Sequence, residues 1–264
     1  MKRRYFIQTT AAGALALSFT GQFTSSKTHV LSLSFDDGFK KSFYKTAEIH
    51  EEYGLKACLN IIASAHLGNN EGPEEYHHYP VGNFDDWNHL KERGHEIMPH
   101  TWAHNNLTEL PFAAATALID KCLDYFDEHL AGFKRRKAVY NFAYNASTPE
   151  LEDYALSKVR AVRTGGWDIL GEDRKAHRFP DKTGPIRLGC WSYGPENADK
   201  WVETEVNKFL ATEGGWLILN LHGLDDEGWG PVSAKFLDRF FKRMVSIEML
   251  DVLPVGMTLE KYME

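Results

Sequence analysis

Cysteine is scarce in this chain: Cys58, Cys122 and Cys190 lie far apart, form no C-x-x-C pair and are odd in number. No disulfide framework can be read from them, and Cys58 and Cys122, set among apolar residues, are expected to be small core residues. Basic charge is also in deficit, with 30 Lys and Arg against 37 Asp and Glu, which argues against a nucleic-acid phosphate backbone as partner. No G-x-G-x-x-G follows the first apolar run, so a dinucleotide site has no support. Repeats, heptad arrays, low-complexity tracts and long linkers are missing as well. What is there is 264 residues, 43% hydrophobic and 25% charged, enough for one globular domain with a sizeable core.

The first residues, M-K-R-R-Y-F-I-Q-T-T-A-A-G-A-L-A-L-S-F-T, place Lys2, Arg3 and Arg4 before an apolar stretch too short to span a bilayer. Residues 1–26 therefore read as an export signal of twin-arginine type, with a frayed terminus or a short membrane anchor as the alternatives. The expected destination is the bacterial periplasm or the outside of the cell, with no stable membrane insertion after the signal is removed. Three basic and no acidic residues leave with it, so the formal charge of −7 becomes −10. Residues 27–264 form the expected single domain.

Within that domain, short apolar runs rich in β-branched and aromatic residues recur: V-L-S-L-S-F, A-C-L-N-I-I, H-E-I-M, A-V-Y-N-F, V-R-A-V-R, W-L-I-L-N-L and D-V-L-P-V. Between them lie helical patterns. From Phe112 to Leu130, residues Ala115, Leu118, Ile119, Cys122, Leu123, Phe126 and Leu130 fall on one face. A second helix is expected to open at Pro231, with Phe236, Leu237, Phe240, Phe241, Met244 and Val245 as its buried stripe. Strand and helix alternating about seven times predict an α/β fold with a parallel sheet, either a closed barrel or an open doubly wound sheet.

Polar residues gather where these strands end. Asp36 and Asp37 follow the first, His100 the third, Tyr144 and Asn145 the fourth, Arg163 ends the fifth, and His222 follows W-L-I-L-N-L. In parallel α/β folds the carboxyl ends of the strands share one face, where active sites collect. Taken singly these signals are weak: D-D-G commonly makes a turn, and twelve histidines in 264 residues give about half an i, i+4 pair by chance. Their conjunction and order carry the weight.

S-F-D-D-G at Ser34–Gly38, H-T-W-A-H at His100–His104 and L-N-L-H-G at Leu219–Gly223 resemble three motifs of the polysaccharide deacetylases, the NodB-homology or family 4 carbohydrate esterases. The resemblance extends over about residues 28–264. It implies a distorted (β/α) barrel, a divalent metal held by Asp37, His100 and His104, and hydrolysis of N- or O-linked acetyl groups on a saccharide. It also implies Asp36 as general base and His222 as general acid. The residue types suit that chemistry. One carboxylate and two neutral imidazoles leave a Zn2+-like ion open positions for water and a carbonyl oxygen, while the second carboxylate stays free to take a proton. Gly38 lets the backbone turn away beneath the site, and histidine is a residue type suited to the work of a general acid.

The chain departs from the family at two motifs. Where an arginine of an R-x-P-Y motif is usual, Y-N-F-A-Y-N places Asn141, although Tyr144 is retained; V-R-T-G-G-W replaces a motif with aspartate before tryptophan. Arg163 is expected to orient Asp36 from a new direction. Trp167 and Trp191 are either sugar-stacking or packing residues, and His77 and His78 are expected in a solvated loop. The leading reading is a metal-dependent deacetylase, Zn2+ being favoured. The alternatives are a hydrolase of another small amide and a catalytically silent sugar-binding module. Retention of both Asp36 and His222 favours an enzyme.

Overall fold

The computed structural model describes residues 27–165, 179–180 and 183–263. The export segment 1–26 and Trp167 lie outside the described residues. Eight strands are described: β1 (His29–Phe35), β2 (Cys58–Ile61), β3 (Glu96–Pro99), β4 (Val139–Asn141), β5 (Ala161–Gly165), β6 (Ile186–Cys190), β7 (Gly215–Leu221) and β8 (Leu250–Val252). They alternate with helices α1 (Lys40–Glu52), α2 (Phe84–Glu92), α3 (Phe112–His129), α4 (Pro149–Leu156), α5 (Asp199–Leu210), α6 (Ala234–Met244) and α7 (Val255–Met263). Among the described residues no helix is long and apolar enough to cross a membrane.

All strand pairings are parallel. β1 pairs along its whole length with β7, from His29↔Gly215 to Phe35↔Leu221. Its other edge is shared, by β2 at Ser34 and Phe35 and by β8 at His29–Leu31; β3 extends the sheet beyond β2. A second sheet runs β4-β5-β6. The two join through Trp191, whose N–H donates to Ile218 O at 3.2 Å and whose carbonyl accepts from Asn220 N at 2.7 Å. At the opposite seam, between β3 and β4, side chains replace the ladder: Asn141 Nδ2 donates to Pro99 O at 3.1 Å, and Val139 N donates to Met98 Sδ at 3.5 Å. The result is the distorted barrel, ringed by helices.

Alternation along the strands explains where the core sits. On β1, Leu31, Leu33 and Phe35 face the helix layer with Leu59, Ile97, Leu217 and Leu219. Val30 faces inward with Cys58, Val139, Ala161, Leu188, Trp216 and Ile218, and Val255 and Leu259 of α7 close this apolar floor. One layer higher the inward residues become polar: Ser34, Asn60, Asn141, Arg163 and Asn220, all buried. The barrel interior is thus apolar at one end and polar at the other, and the polar end is the one the strands point to.

Two expectations need correction. The strand β6 belongs to the barrel although I-R-L-G-C shows little of a strand pattern, because Arg187 points outward to Glu152 at 2.8 Å and Gly189 offers no side chain. Helix α6 begins at Ala234, not Pro231. Val232 pairs with Leu224 in extended form, and Asp225 Oδ1 accepts from Ala234 N at 2.9 Å at the true helix start. At the far end Val245 is 48% exposed and caps the helix instead of joining the buried stripe of Phe236, Leu237, Phe240, Phe241 and Met244. All three cysteines are free and buried.

Candidate active site

The polar layer inside the barrel is one connected network, and its centre is Asp36. Asp36 Oδ1 accepts from Asn60 Nδ2 at 2.7 Å. Its Oδ2 accepts from Arg163 Nη2 at 2.6 Å and from Asn220 Nδ2 at 2.7 Å. Arg163 is fully buried, and its Nη1 donates to Ser34 Oγ at 3.1 Å. Asn141 does not reach Asp36; it donates to Asn60 Oδ1 at 3.0 Å and so steadies the next residue in the network. Burial alone would raise the Asp36 carboxyl, but the charges of Arg163, His100 and His222 hold it below the usual carboxylate range. Arg163 stays protonated, since Asp36 more than offsets its own burial.

Asp37, one residue on, turns the other way. Its φ of 80° and that of Gly38 at 84° swing the chain out of the strand, and only glycine takes such a φ freely. Asp37 Oδ1 lies 3.4 Å from His100 Nε2 and 3.4 Å from His104 Nε2. His100 Nδ1 is hydrogen-bonded at 3.1 Å to Asn141 O, which fixes Nε2 as the nitrogen facing Asp37. His104 has φ 62°. Burial pushes its imidazole down to about 4, so the ring is neutral near pH 7. Burial raises the Asp37 carboxyl, but the imidazoles of His100 and His104 beside it bring it well below its ordinary value.

The ligand atoms of Asp37, His100 and His104 lie within 4.8 Å of one another, the arrangement for a metal ion. Two N/O atoms each about 2.1 Å from a tetrahedral ion lie roughly 3.4 Å apart, which the two Asp37 distances match. Asp37 Oδ1 is buried without a hydrogen-bond partner in the protein, and a buried polar atom of that kind calls for an explanation. The donor set fits a divalent ion such as Zn2+.

The expected residues line one cavity of about 270 Å³: Asp36, Asp37, His100, His104, Tyr144 and His222 all face it. Tyr144, 49% exposed, stands with its ring 4.6 Å from that of His104. His222 packs edge-on against Trp229 at 5.4 Å. Trp191 is half-buried and serves the seam between the sheets, and His77 and His78 are exposed. Non-glycine residues with positive φ cluster here, at Asp37, Thr101, His104, Tyr144 and Asn145; such strain concentrates at functional sites. Sequence reasoning missed Asn60 and Asn220, which grip Asp36, and Trp229. The available signal was a lone asparagine at the same level in two apolar strands, L-N-I and L-N-L.

The family model described as polysaccharide deacetylase matches residues 24–157. Among curated proteins none matches the chain. Solved structures do. The peptidoglycan deacetylase PdaC from Bacillus subtilis is 16% identical, with 88% of this chain and 91% of that one covered, at a TM-score of 0.54. A family 4 carbohydrate esterase from Streptomyces lividans, in complex with acetate, is 13% identical over 86% and 92% of the two chains, TM-score 0.54. A family 4 acetyl xylan esterase from Clostridium thermocellum, in complex with a cobalt ion, is 13% identical over 88% and 91%, TM-score 0.54. At these identities the likeness speaks to the fold.

Proposed function

The chain belongs to the polysaccharide deacetylase family, and we propose that it is a metal-dependent hydrolase that removes N- or O-linked acetyl groups from a saccharide. The observation that carries this reading is the divergence of two neighbouring carboxylates. Asp36 is gripped by Arg163, Asn60 and Asn220, whereas Asp37 faces two imidazoles with one oxygen unpartnered. In this reading Asp37, His100 and His104 hold the ion. A divalent ion bound there supplies a water of lowered pKa and Lewis-acid polarisation of the acetyl carbonyl, and the cobalt in the Clostridium thermocellum esterase supports such a group.

Asp36 is the general base. Held ionised by Arg163 and pinned at both oxygens, its carboxylate takes a proton from the attacking water without first having to reorient. His222, from the strand beside it, gives a proton from its ring to the departing amine or alkoxide. Tyr144 positions the acetylated sugar at the mouth. The twin-arginine-like segment 1–26 supports export to the periplasm or beyond.

The test is acetate release from a panel of N- and O-acetylated glycans alongside elemental analysis of the purified protein. We expect about one divalent ion per chain and release from at least one glycan class, both lost after chelation and restored by Zn2+. A protein that takes up no ion and releases no acetate would overturn the reading.

A further inference from the structure

Two connections rise over the same edge of the cavity and are fixed to each other. The first, between β2 and α2, is tied by Glu71 N to Ala103 O at 2.7 Å and by Asn105 Nδ2 to Glu71 Oε2 at 2.5 Å. Its far end is held by Gly82 N to Gly38 O at 3.1 Å and by Lys40 N to Pro80 O at 2.9 Å. The second, between β7 and α6, is anchored by buried Glu227, whose Oε2 accepts from Ser42 N at 3.0 Å in the first turn of α1. A negative charge there is favoured by the helix dipole. Gly228, at φ +81°, lies flat on Phe39: an added Cβ would sit 2.6 Å from that ring.

The two connections then meet. The Tyr79 hydroxyl donates to the Asp226 carbonyl oxygen, the Tyr79 ring meets Phe39 edge-on at 5.6 Å, and Lys41 Nζ lies 3.4 Å from Asp226 Oδ1. From the first, Pro73 and Tyr76 face the cavity; from the second, His222 and Trp229 do. Trp229 is itself trapped, with His222 on one side and Gly194 on the other, where an added Cβ would come within 2.6 Å of the indole. This edge is a fixed wall.

We propose that the wall makes the site a dead-ended pocket for one sugar ring, so that the enzyme acts on small acetylated saccharides or on the terminal ring of a chain, and not on interior rings. The proposal rests on the deacetylase reading above. An interior ring carries a glycosidic bond on both sides and needs two exits, whereas the joined Tyr79–Asp226 edge removes one. The cavity of about 270 Å³ lies at the foot of the range of roughly 300–1,000 Å³ for small-molecule sites. That is room for a ring with its acetyl arm, and a neighbouring ring on the walled side would have to displace Tyr76 or Trp229.

The test follows acetate release and product sequence, by fragmentation mass spectrometry, on N-acetylhexosamine oligomers and O-acetylated xylo-oligomers of one to six rings. Expected first products carry the change at a terminal ring only, at a rate per molecule that varies little with length. Tyr79→Ala, which removes ring and hydroxyl from the wall without touching the cavity lining, should raise the interior-to-terminal ratio by roughly tenfold or more. It should leave turnover of the single sugar within about threefold. Interior rings deacetylated by the wild-type protein as fast as terminal ones overturn the pocket while leaving the deacetylase reading intact. No release from any length or linkage overturns both.

Discussion

At the end of the barrel where the strands begin, Glu96 is 6% exposed, a burial close to that of the carboxylates at the other end. Its Oε1 accepts from Gly256 N and its Oε2 from Met257 N, each at 3.0 Å, where α7 starts. Cys58 Sγ adds a third donor at 3.3 Å. Every oxygen is answered by the chain itself. At the opposite end Asp37 Oδ1, His104 Nδ1 and His222 Nδ1 are buried with no such partner. Burial costs both ends desolvation; at one end both carboxylate oxygens have hydrogen-bond partners in the chain, and at the other Asp37 Oδ1 has none. Partner satisfaction therefore separates Glu96 from Asp37, the carboxylate that faces two imidazoles, where burial does not; Asp36, gripped at both oxygens, is answered by the chain as Glu96 is.

The largest effects should come from exchanging the two aspartates at the functional end. Asp37→Ala should retain no divalent ion after dialysis and drop acetate release to background. Asp36→Asn and His222→Ala should keep the ion and lose roughly two to four orders of magnitude in turnover. Elemental analysis beside acetate release checks this, and an Asp36→Asn protein that sheds its ion exchanges the two roles.

Next in size is the Arg163–Asp36 pair, buried on both sides at 2.6 Å. Arg163→Gln leaves Asp36 charged and uncompensated, so the urea midpoint should report a loss of about 3–5 kcal/mol. Arg163→Gln combined with Asp36→Asn should recover most of that loss while remaining inactive. Equal destabilisation in the single and double variants would mean that the guanidinium acts by packing alone.

The smallest effect should come from the structural end. Glu96→Ala removes the two amide contacts at α7 and should cost about 1–3 kcal/mol, with turnover per folded molecule unchanged. Burial also raises the Glu96 carboxyl, against the lowering by the Gly256 and Met257 amides. The folded state then binds more protons than the unfolded one. Stability from this group is full below the ordinary glutamate value and falls as pH rises through the raised one. Urea midpoints across that window should fall in the wild type and flatten in Glu96→Gln; an unchanged slope would show that Glu96 does not titrate there.

How much of this was legible in sequence depends on whether a signal was local. D-D-G, H-T-W-A-H and L-N-L-H-G could be read because each packs its reactive residues into a few positions at a strand end. Seven of the eight described strands showed as apolar runs for the same reason. The roles of Ser34, Asn60 and Asn220 were missed, since each is a single polar residue in a buried strand and the lone asparagines of L-N-I and L-N-L are a faint signal. Their common level exists only once β1, β2 and β7 are laid side by side. Arg163 was visible as a cation at a strand end, but its fork onto Asp36 and Ser34 is a matter of barrel closure. Strand β6 failed as a signal because Arg187 and Gly189 break its pattern, and Pro231 misled because loop pairing at Leu224 and Val232 outweighs its preference for a helix start.

The unbroken pairing of β1 with β7 also sets an order of events. Asp36 and Asn220 touch across 184 residues of sequence, a closure whose entropy must be met before the contact rewards it. Asp37, His100 and His104, by contrast, are all in hand once β3 has been made. During refolding, the group suited to an ion belongs to the first half of the chain, whereas the base and the acid meet only when the two ends of the domain have found their register. Recovered turnover would then be the stricter gauge of a finished molecule, and recovered ion content the more forgiving one.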